Sequence, residues 1–144
     1  MKKNYGLALI RVIIVTFLFS GISFNLSSCQ AVQWERVVSM NEVDYDIDVS
    51  SVQRVNFKFG GDNIVCWVKS TTFDKKYGIL KFAFREKNGS KQYVILSGIG
   101  YDEDGNVTGT VPTIIEPFDF HYRIINHGNR YEALYDKALE CVNK

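Results

Sequence analysis

Proline, cysteine and histidine are scarce in this chain, at two, three and two among 144 residues. His121 and His127 stand six apart with no thiol or carboxylate at ligand spacing, which argues against a metal centre or a histidine-based catalytic site. Charge of one sign is missing too. The 17 Lys and Arg stand against 16 Asp and Glu, a formal +1, leaving no basic surplus to neutralise phosphates and disfavouring nucleic acid as a partner. An internal repeat, a heptad, a glycine-rich phosphate loop, a G-x-S-x-G elbow and an H-E-x-x-H helix are all lacking, so no motif implies a cofactor or a catalytic mechanism. What is plentiful is apolar: 46% hydrophobic, with 10 Phe, 8 Tyr and 2 Trp. That is the composition of a globular chain, and its length fits one domain.

The N-terminus carries the longest apolar run. Lys2 and Lys3 are followed by Gly6 to Ile10, Arg11, and then 13 residues from Val12 to Phe24. A short positive segment before such a stretch predicts a secretory signal peptide. A membrane-spanning helix needs roughly 20 apolar residues, and extending this one backward meets Arg11. Leu26-Ser27-Ser28-Cys29 then resembles a bacterial lipobox, a hydrophobic and two small residues before a cysteine. On this reading residues 1–28 are removed, Cys29 is lipidated, and 29–33 tether a single domain over 34–144 to the membrane. The competing reading is cleavage after Ala31, with small residues at Cys29 and Ala31. Lipidation also accounts for the odd cysteine. Gln30, by resemblance to Gram-negative lipoproteins, directs the protein to the outer membrane. The exported chain would keep 14 basic and 16 acidic side chains, a net −2.

Within the domain, hydrophobic alternation predicts strands over 34–40, 45–48, 52–59, 64–72, 78–86, 91–101 and 106–111. Gly60-Gly61-Asp62, Asn88-Gly89 and Asp104-Gly105 supply the turns between them, Asn-Gly being among the strongest hairpin signals. From Asn129 the period becomes helical, with Tyr131, Leu134, Tyr135, Ala138, Leu139 and Val142 on one stripe. Asn129 is an N-cap and Glu132 completes a capping box. The expected fold class is α+β: an antiparallel meander of about six strands with one C-terminal helix on one face.

Six strands span roughly 29 Å, whereas a helix is about 10 Å across and 14 residues give about 21 Å of length. One helix cannot cover that sheet, yet several strands are apolar on both faces: Val65 and Trp67 oppose Ile64, Cys66 and Val68, and Ile79 and Ala83 oppose Leu80, Phe82 and Phe84. Sheet curvature, loops or another molecule must hide the outer face. The expectation is a homodimer or a protein-binding face.

Cys66 is in phase with Ile64 and Val68, and Cys141 falls on the helix stripe. A disulfide between them would close about 75 residues and stabilise by about 4.5 kcal/mol in the chain-entropy model; the alternative is two separate buried thiols. Asp102-Glu103-Asp104-Gly105-Asn106 is the densest acidic cluster, but its Gly falls at the fourth rather than the sixth position of an EF-hand loop. Asp46 and Asp48 share a strand face with nothing to mark them as a catalytic pair.

Taken in order, Trp34, Tyr45-Asp46-Ile47-Asp48, Trp67-Val68-Lys69, Tyr101 to Val107 and Gly128 to Tyr135 with Cys141 resemble the bacterial surface-adhesin protein E family across nearly the whole exported chain. The resemblance implies an exported lipoprotein with about six antiparallel strands and a C-terminal helix; an enzymatic or small-molecule-binding role is disfavoured separately, by the missing catalytic constellation. The resemblance also implies adhesion to host cells or extracellular-matrix proteins. The other expectation is an envelope assembly protein facing the periplasm. No ligand-contact residue transfers from the family to a position here.

Overall fold

The computed structural model describes residues 31–144; the expected signal peptide over 1–28 and the lipidation site Cys29 lie outside them. The strands are β1 (Trp34–Met40), β2 (Val43–Asp48), β3 (Gln53–Phe57), β4 (Gly61–Thr72), β5 (Tyr77–Lys87), β6 (Ser90–Tyr101), β7 (Val107–Val111) and β8 (Arg123–Ile124), and the helix is α1 (Arg130–Val142). All pairings are antiparallel. The sheet has eight strands in six positions, because its order is β1-β2-β4-β5-β6-β7 with β3 also on β4 and β8 also on β6. One edge of β4 is shared, Val68–Thr72 pairing with β2 and Gly61–Val65 with β3. The outer edge of β6 is shared likewise by β7 and β8.

The turns follow from their residues. Asn88 and Gly89 both have positive φ, 54° and 72°, as the two-residue turn joining β5 to β6 demands, and Asn and Gly tolerate that region best. Asp102 folds its own hairpin: its carboxylate accepts from the N–H groups of Asp104 (3.0 Å) and Asn106 (2.7 Å) and from the Asn106 side chain (3.0 Å).

Helix α1 begins where the sequence places it. The Asn129 side chain accepts from the N–H of Tyr131 and Glu132, at 3.0 and 3.1 Å. The capping box is displaced by one residue: Glu132 accepts from Gly128 N–H at 2.7 Å, whereas Asn129 N–H turns to Asn126 O. Leu134, Tyr135 and Ala138 are buried, packed with Ile47, Cys66, Phe82 and Phe84 in the main core.

The opposite face has a smaller core of Val65, Ala83, Val94 and Leu96, against which Val55, Phe57, Ile114 and Tyr122 pack. Its cover is the strap after β7, where Ile114 N–H donates to Leu96 O at 2.7 Å. Loops therefore hide part of the outer face.

Candidate functional site

Arg85 pins the strap. Its side chain is 5% exposed and its guanidinium lies 3.6 Å from the centre of the Tyr122 ring. It donates to Gly60 O at 2.9 Å and Gln92 Oε1 at 2.8 Å, and pairs with Asp119 at 2.9 Å. The Tyr122 hydroxyl donates to Asn63 Oδ1 at 2.8 Å, and burial pushes its pKa up. Lys87 and Arg85, both bonded to Asp119, hold that carboxyl below the ordinary range.

Beyond the strap the outer face is open. Trp67, Ile79, Ser97, Ile99, Tyr101 and Val111 line a shallow pocket of about 560 Å³, inside the size range of small-molecule and peptide sites. Register puts Trp67, Ile79, Ser97, Ile99 and Tyr101 on one face: Trp67 lies opposite Lys81, Lys81 opposite Ser97, Ile79 opposite Ile99, and Tyr77 opposite Tyr101, while Val111 borders the pocket from β7, opposite Gly98. The Tyr77 and Tyr101 rings stack at 4.7 Å. Lys69 Nζ is 5.0 Å from the Tyr77 ring centre and Lys81 Nζ 5.8 Å from that of Trp67, so ammonium groups border the aromatic floor. Further along the sheet, on β1, Arg36 is bridged to Asp44 and Asp46. The face offers apolar area, aromatic rings and a few cations, with no nucleophile and base in hydrogen-bond reach among these residues.

The edge beside this face is unguarded. All five residues of β7 are exposed, and Val107-Thr108-Gly109-Thr110-Val111 carries no charge. At the other edge, β1 contains Glu35 and Arg36, has a register shift near Val37, and is tied to the helix by Lys137–Glu35 at 2.9 Å. Charges and bulges protect a strand edge from pairing with another chain; a flat uncharged strand invites it.

The other expected site residues are dispersed. Cys66 and Cys141 are both free thiols, so the expected bridge is not formed. Cys66 is fully buried, and burial, reinforced by nearby Cys141, pushes its thiol up to about 12. A thiol held protonated is a poor partner for exchange. His121 Nδ1 accepts from Phe118 N–H at 2.9 Å, closing a 3-10 turn over Asp119–His121. His127 lies beside Glu132 at 3.0 Å. Asp46 is taken by Arg36, and Asp48 by the N–H groups of Gln33 and Ser50. Among the described residues no three His, Cys, Asp or Glu gather as a metal site. The strap and its pin escape a reading of the sequence; Arg85, in phase with the apolar side chains of β5, is the available signal.

Comparison with known proteins finds no matching family model, curated protein or solved structure.

Proposed function

We propose that the exported chain is an envelope lipoprotein without catalytic function, held in the outer membrane through Cys29, whose open sheet face binds a protein. The observation that carries this reading is the uncovered pocket of Trp67, Ile79, Ile99, Tyr101 and Val111 beside a bare β7 edge. Trp and Tyr are enriched in protein-binding patches and are among the residues that dominate their energetics. The resemblance to surface-adhesin protein E supports a host-cell or matrix ligand for that face. A second copy is the partner most simply accommodated, with two β7 strands pairing across a two-fold axis and joining two sheets.

Three measurements test this. A photo-crosslinking residue at Ile99 should capture a protein in intact cells, while one at Phe73, in the β4–β5 turn, should not. A strictly monomeric mass at tens of micromolar removes the second-copy form. Protease added to intact cells reads the side of the membrane, and full protection of the domain leaves only a periplasmic assembly role.

A further inference from the structure

At one end of the sheet three phenyl rings stack in the open. Phe59 in the β3–β4 turn lies 4.7 Å from Phe118, and Phe118 lies 5.7 Å from Phe120. Their exposures are 49%, 40% and 79%. Stacking fixes the rings in place without covering them, and a large exposed apolar cluster on a folded domain marks a contact surface.

The same end receives the N-terminal chain. Strand β1 runs in the direction of β4, since each is antiparallel to β2. Trp34 pairs with Asp48, one residue beyond the Ile47–Val68 rung, so the preceding chain comes from the side of Gly61 and the Phe59 turn. From the level of Trp67 to Gly61 is about 20 Å of strand. Cys29 is five Cα–Cα steps from Trp34, a reach of at most about 18 Å. A lipid at Cys29 therefore holds this end, and not the Phe73 end, toward the bilayer.

The charges near the rings do not oppose such a contact. Asp119 is bonded to Arg85 and Lys87, Glu116 accepts from Phe59 N–H at 2.8 Å, and Lys58 Nζ lies 5.0 Å from the Phe59 ring centre. A lysine beside an apolar tip suits the phosphate level of a membrane.

We propose that the Phe59–Phe118–Phe120 end seats on the bilayer that holds the lipid of Cys29, an inference that rests on the lipidated reading of that cysteine. The acyl chains retain the protein, and the rings fix how it stands: the sheet upright, its open face turned sideways. This orientation leaves the Trp67 pocket and the β7 edge clear of headgroups.

The test uses full chains carrying Phe120→Trp or Phe73→Trp, extracted from membranes and reconstituted into phosphatidylcholine vesicles with or without brominated acyl chains. After subtraction of the parent emission from Trp34 and Trp67, the added indole of the Phe120→Trp chain should be quenched at least twofold by the brominated lipid. That of the Phe73→Trp chain should be unchanged. Acyl mass on Cys29 with no quenching in the Phe120→Trp chain, or equal quenching in both chains, overturns the seated end while leaving the anchor intact. An intact mass without acyl chains overturns the proposal through its premise. Blue-shifted, lipid-insensitive emission from the Phe120→Trp chain with a doubled particle mass assigns the rings to a second copy and also overturns it.

Discussion

Replacing Arg85 by Ala should detach the strap from the sheet. Beside the bond to Gln92 Oε1, which stays within the sheet, three interactions that hold the strap and the β3–β4 turn go at once, and they are unequal. The guanidinium–Tyr122 stack, desolvated at 3.6 Å, is worth about 2 kcal/mol. The hydrogen bond to Gly60 O is charge-assisted, of order 1.5–3 kcal/mol, but Asn63 Nδ2 still donates to that carbonyl at 3.2 Å and recovers part of it. The pair with Asp119 contributes least, because that carboxylate is 62% exposed and rehydrates when its partner leaves. A net loss of about 2–4 kcal/mol follows from these terms. In urea, with a slope of about 2 kcal/mol/M, the middle of the range for a small domain, the midpoint should fall by about 1–2 M. Hydrogen exchange supplies the local readout, since the amide of Ile114 should lose protection before those of β5. Arg85→Lys keeps the charge but not the planar fork, and should recover less than half of the stability. An Arg85→Ala protein with an unchanged midpoint and a protected Ile114 amide would refute the pin.

Leu134→Ala, at a fully buried position of α1, should cost about 2–5 kcal/mol in the same urea assay. Glu132 is held down to about 2 from the ordinary 4.5 by the Gly128 N–H and His127. A depressed carboxyl contributes fully above its unfolded pKa and loses that contribution as pH falls toward the folded one. Between about pH 4.5 and 2 the parent should therefore lose more stability than Glu132→Gln, as read by thermal melts across that window. Cys66 should resist iodoacetamide in the folded protein at about pH 8 and react fully in denaturant; rapid labelling without denaturant would show that the core opens.

Much of the strand pattern can be read in the residues. Trp34–Met40 is a strand as expected, and β4, β5 and β6 differ from their predicted spans by a few residues at most, because alternation and the Asn-Gly turn act locally. Two features resist such reading. The sharing of β4 by β2 and β3 depends on pairing between segments whose apolar patterns do not encode their neighbours. The strap is a loop in which Phe118 to Tyr122 alternates like a strand, yet Pro117 is buried and Asp119–His121 turns as a 3-10 helix. There, tertiary contact with Arg85 and Gly60 decides the conformation, and a Cβ at Gly60 would come within 2.7 Å of the Tyr122 hydroxyl. The open pocket is legible only as an excess of apolar face, since which half stays bare depends on where the strap lies.

The break between β2 and β3 has a mechanical side. Over Val49–Ser51 the column beside β4 has no strand, but Ser51 Oγ accepts from Trp67 N–H at 2.9 Å and donates to Asp48 O at 2.7 Å. One hydroxyl thus splices the backbone bonding across the gap. Were the chain held through Cys29 as proposed, drag on a bound partner would pull β1 along its own axis, so that the rungs from Trp34–Asp48 to Met40–Val43 would be strained side by side and not peeled one after another. That load would enter the sheet at its first rung, next to the splice, and a tether at this end would set the β1–β2 pairing in shear.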